Sequence, residues 1–149
     1  MQCIYDLKDE GLSIDDIMLE EGEDAKNNIP DQYVSKQSGN LVTEELIADI
    51  IKNKVADNKF LRKVVLVLLG TVLAPESHLV IPKLYYAIVQ DVERLKKLNF
   101  NDFSLSFLLN SLKQVRTGTE MRQWPKGNLS LLQVLLLLLI CNIIRCRNF

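Results

Sequence analysis

The sequence is poor in the residue types that catalysis and metal binding most often use. It has one histidine, His78, and its three cysteines, Cys3, Cys141 and Cys146, form no CxxC pair. A histidine acts as a catalytic base only with a nucleophile and an orienting group in hydrogen-bond reach, and no spacing here indicates such a set. Zinc sites need about four ligands at characteristic spacings, which are also missing. We therefore expect no catalytic residue and no metal site.

Motifs that bind phosphate groups or activate nucleophiles are missing too. The glycines form neither GxGxxG nor GxxxxGK[ST], and there is no GxSxG, HExxH or EF-hand pattern. These absences predict a protein that is not an enzyme and binds no cofactor. The N-terminus has no basic cluster followed by an apolar run, so it does not resemble a secretory signal. The absence of such a signal, together with an odd number of cysteines in no disulfide pattern, favours the nucleus or cytoplasm.

Charge is unevenly divided along the chain. Residues 1–58 carry 14 acidic and 5 basic side chains, a balance of −9, whereas residues 59–149 carry 5 acidic and 13 basic ones, a balance of +8. Residues 1–40 are acidic and polar with few large apolar groups, so little apolar surface offsets the entropy of ordering. We therefore predict a mostly disordered acidic leader over 1–40 and a helical domain over 41–149.

One short helix is expected inside that leader. Ser13 and Asp16 have the spacing of a capping box with Asp in place of Glu. Ile14, Ile17 and Met18 would share one face of the helix that follows. Such a helix is either transient or a short acidic–hydrophobic docking motif.

Apolar periodicity predicts a mainly α fold of about four to five helices. The first has Thr43 as its N-cap and an apolar stripe comprising Leu46, Ile47, Ile50, Ile51 and Val55. A helix is predicted over 60–75; it is apolar on nearly all sides from Val64 to Leu73, which favours a buried central helix and leaves a strand as the alternative. A helix is predicted over 82–98, and another from Asn101 or Asp102 with the stripe Phe103, Phe107, Leu108, Leu112 and Val115.

A basic loop is the best polar site that the sequence offers. Its members are Lys113, Arg116, Arg122, Trp124 and Lys126. Cations around an aromatic ring suit contact with a nucleic-acid backbone and stacking on a base. The alternative is that Trp124 anchors the loop to the core. We therefore keep both a protein partner and a nucleic acid as candidate partners.

The leucine-rich segment Leu129–Ile144 allows two interpretations. Its 16 residues are fewer than the 17–25 that a membrane-spanning helix uses, and it contains Ser130, Gln133 and Asn142. Arg145 and Arg147 follow it, as in a short C-terminal anchor. The segment is either a core helix or a membrane anchor.

Three stretches carry a resemblance to a known group of proteins. They are FLRKVVLVLLGTVLAP, PKLYYAIVQDVERLKKLNFNDFSLSFLLNSLKQV and WPKGNLSLLQV. This pattern of hydrophobic helices resembles plant mobile-element-associated proteins, namely the aminotransferase-like plant mobile domain and the N-terminal region of SUMO-protease-like transposon proteins. The resemblance implies a transposon-derived helical domain of unknown biochemical role. The family's protease residues belong to a separate downstream domain, so none carries over.

The chain departs from that family pattern after Gln133. Family members continue with aromatic and acidic residues, whereas this chain reads VLLLLLICNIIRCRNF. The departure indicates a C-terminal end that is truncated relative to the family. Our leading hypothesis is a non-catalytic helical interaction domain or relic of a plant transposon-derived protein. The alternatives are a nucleic-acid-associated protein and a protein anchored in a membrane through 129–144.

Overall fold

Helices dominate the structure, a computed structural model that describes residues 10–53, 55–75, 80–116, 126–128 and 133. The mainly α fold predicted from the sequence is confirmed. The α-helices are α1 (Ile14–Asn27), α2 (Thr43–Lys52), α3 (Asn58–Leu68), α4 (Tyr86–Gln90), α5 (Val92–Leu95) and α6 (Phe100–Arg116). A π-helical turn, Leu69–Leu73, continues α3, and 3-10 turns lie at Asp31–Tyr33 and Lys83–Tyr85. Strands β1 (Leu41–Val42) and β2 (Val80–Ile81) pair antiparallel, with Leu41 opposite Ile81.

Helix α1 lies inside the segment that composition assigns to disorder. Ile14 and Ile17 are 1% and 8% exposed and belong to the main hydrophobic core. The predicted cap is confirmed, because the Ser13 hydroxyl oxygen accepts a hydrogen bond from the Asp16 backbone N–H at 3.2 Å. The prediction of a mostly disordered leader is therefore wrong for residues 10–40; residues 1–9 lie outside the described part. Few apolar residues suffice here because they share one face, and that face packs on α4 and on the turn before it.

Two long-range contacts fix α1 against the rest of the chain. The guanidinium of Arg94 donates to both carboxylate oxygens of Glu21, at 2.6 and 2.7 Å, across 73 residues of sequence. Just before α1, Leu12 forms a parallel bridge with Leu98. Gly11 permits this bridge, because its φ is +150° and a Cβ there would lie 2.4 Å from the Lys97 carbonyl oxygen.

Helix α2 is less buried than its apolar stripe suggests. Leu46 is 3% exposed, but Ile51 and Val55 are each 68% exposed. The helix starts after Val42, which makes no side-chain cap, and Thr43 is its first residue and buried. The prediction of Thr43 as N-cap is therefore wrong. The stripe has no neighbour to cover its far end within the described residues.

Helix α3 and its π-helical turn form the centre of the core. Leu66 and Leu69 are fully buried, which confirms a buried helix over this stretch and excludes the strand alternative. Asp57 caps the helix, accepting from the Phe60 backbone N–H at 2.8 Å. Lys63 is also buried and pairs with Asp49 of α2. This ion pair joins the two helices.

The single helix predicted over 82–98 is wrong. The chain is extended at Asp91, which separates α4 from α5 and accepts hydrogen bonds from the backbone N–H groups of Glu93 and Arg94. Arg62 of α3 donates to the carbonyl oxygens of Val89 and Gln90, at 3.0 and 2.9 Å. The break is stable because these side chains replace the hydrogen bonds that a continuous helix would make.

Helix α6 runs through the predicted stripe but starts earlier. Asn99 is the cap, accepting from the Asp102 backbone N–H at 2.9 Å, so the prediction of Asn101 or Asp102 as cap is wrong. Phe103 and Leu108 are buried, as the stripe predicts. Gly127 packs against this helix with φ +111°, and a Cβ there would lie 3.1 Å from the Leu108 Cα. Residues 126–128 thereby rest on α6.

The leucine-rich segment 129–144 lies outside the described residues, except for Gln133. Among the residues that are described, no helix combines the length and the apolar character that a membrane span requires. The choice between core helix and anchor for 129–144 therefore stays a prediction.

Candidate functional site

A cleft of about 340 Å³ opens between α1 and α6, and we call it the α1–α6 cleft. Its apolar wall is formed by Met18, Pro82, Leu84, Tyr85, Phe103 and Phe107. Its polar groups come from Asp15, Asn110, Ser111, Gln114 and Lys126. An apolar concave surface of this size with a few polar groups is typical of a binding site, for which volumes of about 300–1,000 Å³ are usual.

Helical periodicity explains how the two walls arise. On α6, Phe103, Phe107 and Gln114 are four and seven residues apart, so they lie on one face of the helix. On α1, Asp15 and Met18 are three residues apart and also share a face. Each helix therefore presents a mixed apolar and polar strip to the cleft.

Aromatic packing makes the apolar wall rigid. The rings of Tyr85 and Phe103 meet edge to face, with centroids 5.8 Å apart and an angle of 83°. Phe107 follows with its centroid 6.5 Å from that of Phe103. Phe103 is fully buried, whereas Phe107 is half-buried and contributes to the accessible surface of the cleft. The wall is thus fixed by the core behind it.

Acidic groups lie where α1 and α6 begin, and one of them, Asp15, belongs to the lining of the cleft. Asp15 and Asp16 lie in the first turn of α1, and Asp102 lies in the first turn of α6. Partial burial raises the pKa of the Asp15 carboxyl, and the negative charges of Asp102 and Asp16 raise it further. Within the described ranges, none of the three carboxylates forms an ion pair. We call them the acidic triad.

The structure brings only part of the predicted basic site together. Lys126 lines the cleft, and its backbone N–H donates to the Ser111 hydroxyl oxygen. Lys113 and Arg116 are exposed in the last turn of α6. Arg122 and Trp124 lie outside the described residues. A basic loop around an aromatic ring is therefore a prediction that the described part leaves untested.

Sequence reasoning missed the aromatic and acidic sides of the cleft. Phe103 and Phe107 were expected in the core, and Asp15 was expected only as a helix-start residue. One signal was available: on α6 the apolar face continues into Asn110 and Gln114, so one face carries both characters. No sequence signal places α1 opposite that face.

A second groove, of about 580 Å³, lies between residues 31–37 and α2. In it the Ser35 hydroxyl donates to a Glu45 carboxylate oxygen at 2.6 Å, and the hydroxyl of buried Tyr33 has no hydrogen-bond partner among the described residues. Most of the lining side chains are polar, with both signs of charge. The lining of this groove contains fewer large apolar side chains than that of the α1–α6 cleft.

The other residues that sequence analysis tests for chemistry lie outside the described part. These are His78 and the three cysteines Cys3, Cys141 and Cys146. Among the residues that the structure does describe, no three His, Cys, Asp or Glu side chains are placed to hold a metal ion. The acidic triad accordingly does not have the geometry of a metal site.

Comparison with known proteins gives one match. A family described as a domain of unknown function (DUF8566) matches residues 3–133, which include α1 and both walls of the cleft. No curated protein and no solved structure matches the chain. The description of the family carries no link to plant mobile elements, so that resemblance stays a prediction. Because the match covers most of the sequence, the chain belongs to the DUF8566 family.

Proposed function

We propose that this chain is a non-catalytic helical interaction domain, which binds a segment of a partner protein in the α1–α6 cleft. The observation that carries the proposal is the cleft itself, a concave aromatic and aliphatic surface with polar groups at its edges. Apolar surface removed from water contributes about 25 cal/mol per Å². A partner side chain that enters the cleft would bury both its own surface and that of Phe107.

The walls of the cleft suit binding because contacts with the rest of the fold fix their positions. Phe103 is packed on Tyr85 in the core, and α1 is fixed by the contact between Glu21 and Arg94. A site that is already formed costs less ordering entropy on binding. The polar groups at the rim, such as Asn110, can accept and donate hydrogen bonds and so orient a peptide backbone.

The other functions considered have less support. Nucleic-acid binding through Lys113, Arg116, Arg122, Trp124 and Lys126 would bring phosphate towards a cleft that the acidic triad borders, and like charges repel. A membrane anchor over 129–144 concerns residues outside the described part. An origin from a plant mobile element is part of the proposal, and it rests on the sequence resemblance alone.

The test is selection of peptides from a random display library on the purified full chain. Asn110 is exposed and lines the cleft, so Asn110→Trp should fill it without disturbing the core. Asn27 is an equally exposed asparagine at the end of α1, outside the cleft, and Asn27→Trp is the matched control. Thermal unfolding of both variants verifies that they fold.

The proposal predicts peptides that bind the wild-type chain and Asn27→Trp equally, and that bind Asn110→Trp at least tenfold more weakly. If selection yields no specific peptide, or if every selected peptide binds Asn110→Trp as well as it binds the wild type, the cleft is not a peptide-binding site.

A further inference from the structure

Asp15 of the acidic triad lines the α1–α6 cleft, Asp16 and Asp102 lie near it, and among the described residues none of the three forms an ion pair. Asp15, Asp16 and Asp102 come from the first turns of two helices that meet there. Asp15 is exposed and lines the cleft, and the negative charges of Asp102 and Asp16 both raise the pKa of its carboxyl. Each carboxylate is favoured by the positive end of its own helix, but the three repel one another.

The opposite end of the cleft has a different character. Ser111, which binds the Lys126 backbone, lies nine residues after Asp102 on α6, or about 13 Å further along the helix at 1.5 Å per residue. The lining of α6 from Phe103 to Gln114 extends about 16 Å on the same scale. That length matches about five residues of extended peptide, at roughly 3.3 Å per residue. The two ends of the cleft therefore differ: one is acidic, at Asp15, and the other contains Ser111 and Lys126.

We propose that the partner segment carries a lysine or arginine beside a large apolar side chain, with the cation at the acidic triad and the apolar side chain against Phe107. This inference rests on the function proposed above and specifies its ligand. Charge complementarity supports this assignment, because a cation at Asp15 meets a carboxylate whose neighbours Asp16 and Asp102 are also negative. The methylene stem of either residue can also cover apolar surface as it reaches the triad.

The charge of the cation matters here because three carboxylates lie near one another, and a cation beside Asp15 offsets part of their mutual repulsion. The same geometry disfavours a segment with a glutamate or aspartate at that position, since a fourth negative charge would be added. The acidic triad would therefore select for the sign of the charge, and the aromatic wall for the adjacent apolar group.

The experiment uses the peptides selected on the full chain. We expect most of them to contain lysine or arginine next to a leucine, isoleucine, methionine or aromatic residue. Replacing that cation by glutamine in a selected peptide should weaken binding at least fivefold. Asp15→Asn in the protein should weaken the parent peptide by a similar factor but leave the glutamine peptide unchanged.

Asp24→Asn is the matched control. Asp24 is an exposed aspartate on the same helix, outside the cleft, and its replacement should leave binding of both peptides unchanged. Binding of the parent peptide should also weaken as salt is added, and Asp15→Asn should reduce that dependence. Equal losses for Asp15→Asn and Asp24→Asn would show a general charge effect and overturn the inference.

Failure of the inference can be told apart from failure of the proposed function. Peptides without a cation that still lose binding to Asn110→Trp would overturn the inference and leave the cleft as a binding site. Absence of any cleft-dependent peptide would overturn both.

One alternative occupant is the chain's own C-terminal segment, in which an apolar run precedes Arg145 and Arg147. A gain in peptide affinity in the full-length double variant Arg145→Gln/Arg147→Gln would assign the cleft to that segment and overturn the assignment to a separate partner.

Discussion

Helices α1 and α2 differ in how far their apolar side chains are buried. Helix α1 is acidic and sparse in apolar residues, yet Ile14 and Ala25 are each only 1% exposed. Helix α2 has the stronger apolar stripe, yet Ile51 is 68% exposed. The difference lies in their neighbours, because α1 packs on α4 and on the turn before it along much of its length, whereas α2 packs chiefly on α3. Burial is decided by what lies opposite a helix as well as by its stripe.

A pair of matched isoleucine substitutions tests this comparison and has the largest expected effect. Ile14→Ala should lower the free energy of unfolding by about 2–5 kcal/mol, since it opens a cavity in the core. Ile51→Ala removes a mostly exposed side chain and should change that free energy by no more than about 0.5 kcal/mol. Urea denaturation of both variants measures the two values. Similar losses would mean that α1 is no more part of the core than the outer face of α2.

A second test addresses how α1 is joined to the rest of the chain. Gly11→Ala should cost about 2–4 kcal/mol, because it combines a disfavoured positive φ with loss of the bridge hydrogen bonds around Leu12. Gly39 also has a positive φ, of +65°, but a Cβ there would meet nothing within 4 Å. Gly39→Ala should therefore cost only about 1–2 kcal/mol. If the two variants are equally stable, the bridge does not hold α1.

The N-cap of α1 gives a smaller effect. Ser13→Ala should cost about 1 kcal/mol, since the Asp16 backbone N–H loses its acceptor. Hydrogen exchange of the amides in the first turn of α1 should accelerate more than exchange in α3. Ser38→Ala, in an exposed turn, is the control and should have little effect. Unchanged exchange in α1 would show that the apolar contacts alone hold its first turn.

The smallest effect depends on pH. The hydrogen bonds from Arg94 lower the pKa of Glu21 below its ordinary value, so the ionised carboxylate stabilises the folded chain. This stabilisation is fully present above the ordinary pKa of about 4.3 and is lost as the pH falls through the lowered folded-state pKa. The difference in unfolding free energy between the wild type and Glu21→Gln should therefore shrink with acidification. Glu23→Gln, which removes an exposed carboxylate from the same helix, is the control for the loss of a negative charge. A difference that stays constant with pH would contradict the role of the pair.

Much of the helical layout could be predicted from local pattern. The apolar stripes predict helices near the places where α2, α3 and α6 lie, because apolar periodicity and capping are properties of neighbouring residues. The break at Asp91 could not be predicted in the same way. It depends on a hydrogen bond that Arg62 donates to the carbonyl oxygen of Val89, 27 residues further along the chain. The order of residues 10–40 depends in turn on Arg94 and Leu98, far along the chain.

The candidate site was predictable only in its separate parts. Lys126 was singled out for its charge, and Phe103 and Phe107 for their periodicity. Asp15 was visible only as part of a capped helix start. They meet in one cleft because α1 packs near α6, and no local spacing in the sequence encodes that packing. Tertiary contacts of this kind decide the site, while local pattern decides the elements that carry it.

The bridge between Leu12 and Leu98 also bears on how the molecule assembles. Its two strands of backbone are separated by most of the described chain, so the bridge closes a long loop, and contacts of high sequence separation form slowly. Helices α3 to α6 can meet through nearer contacts before this loop closes. We therefore expect α1 to dock late in folding, and the cleft to be the last surface completed. A newly made chain would then complete the proposed binding surface only when α1 docks on α6.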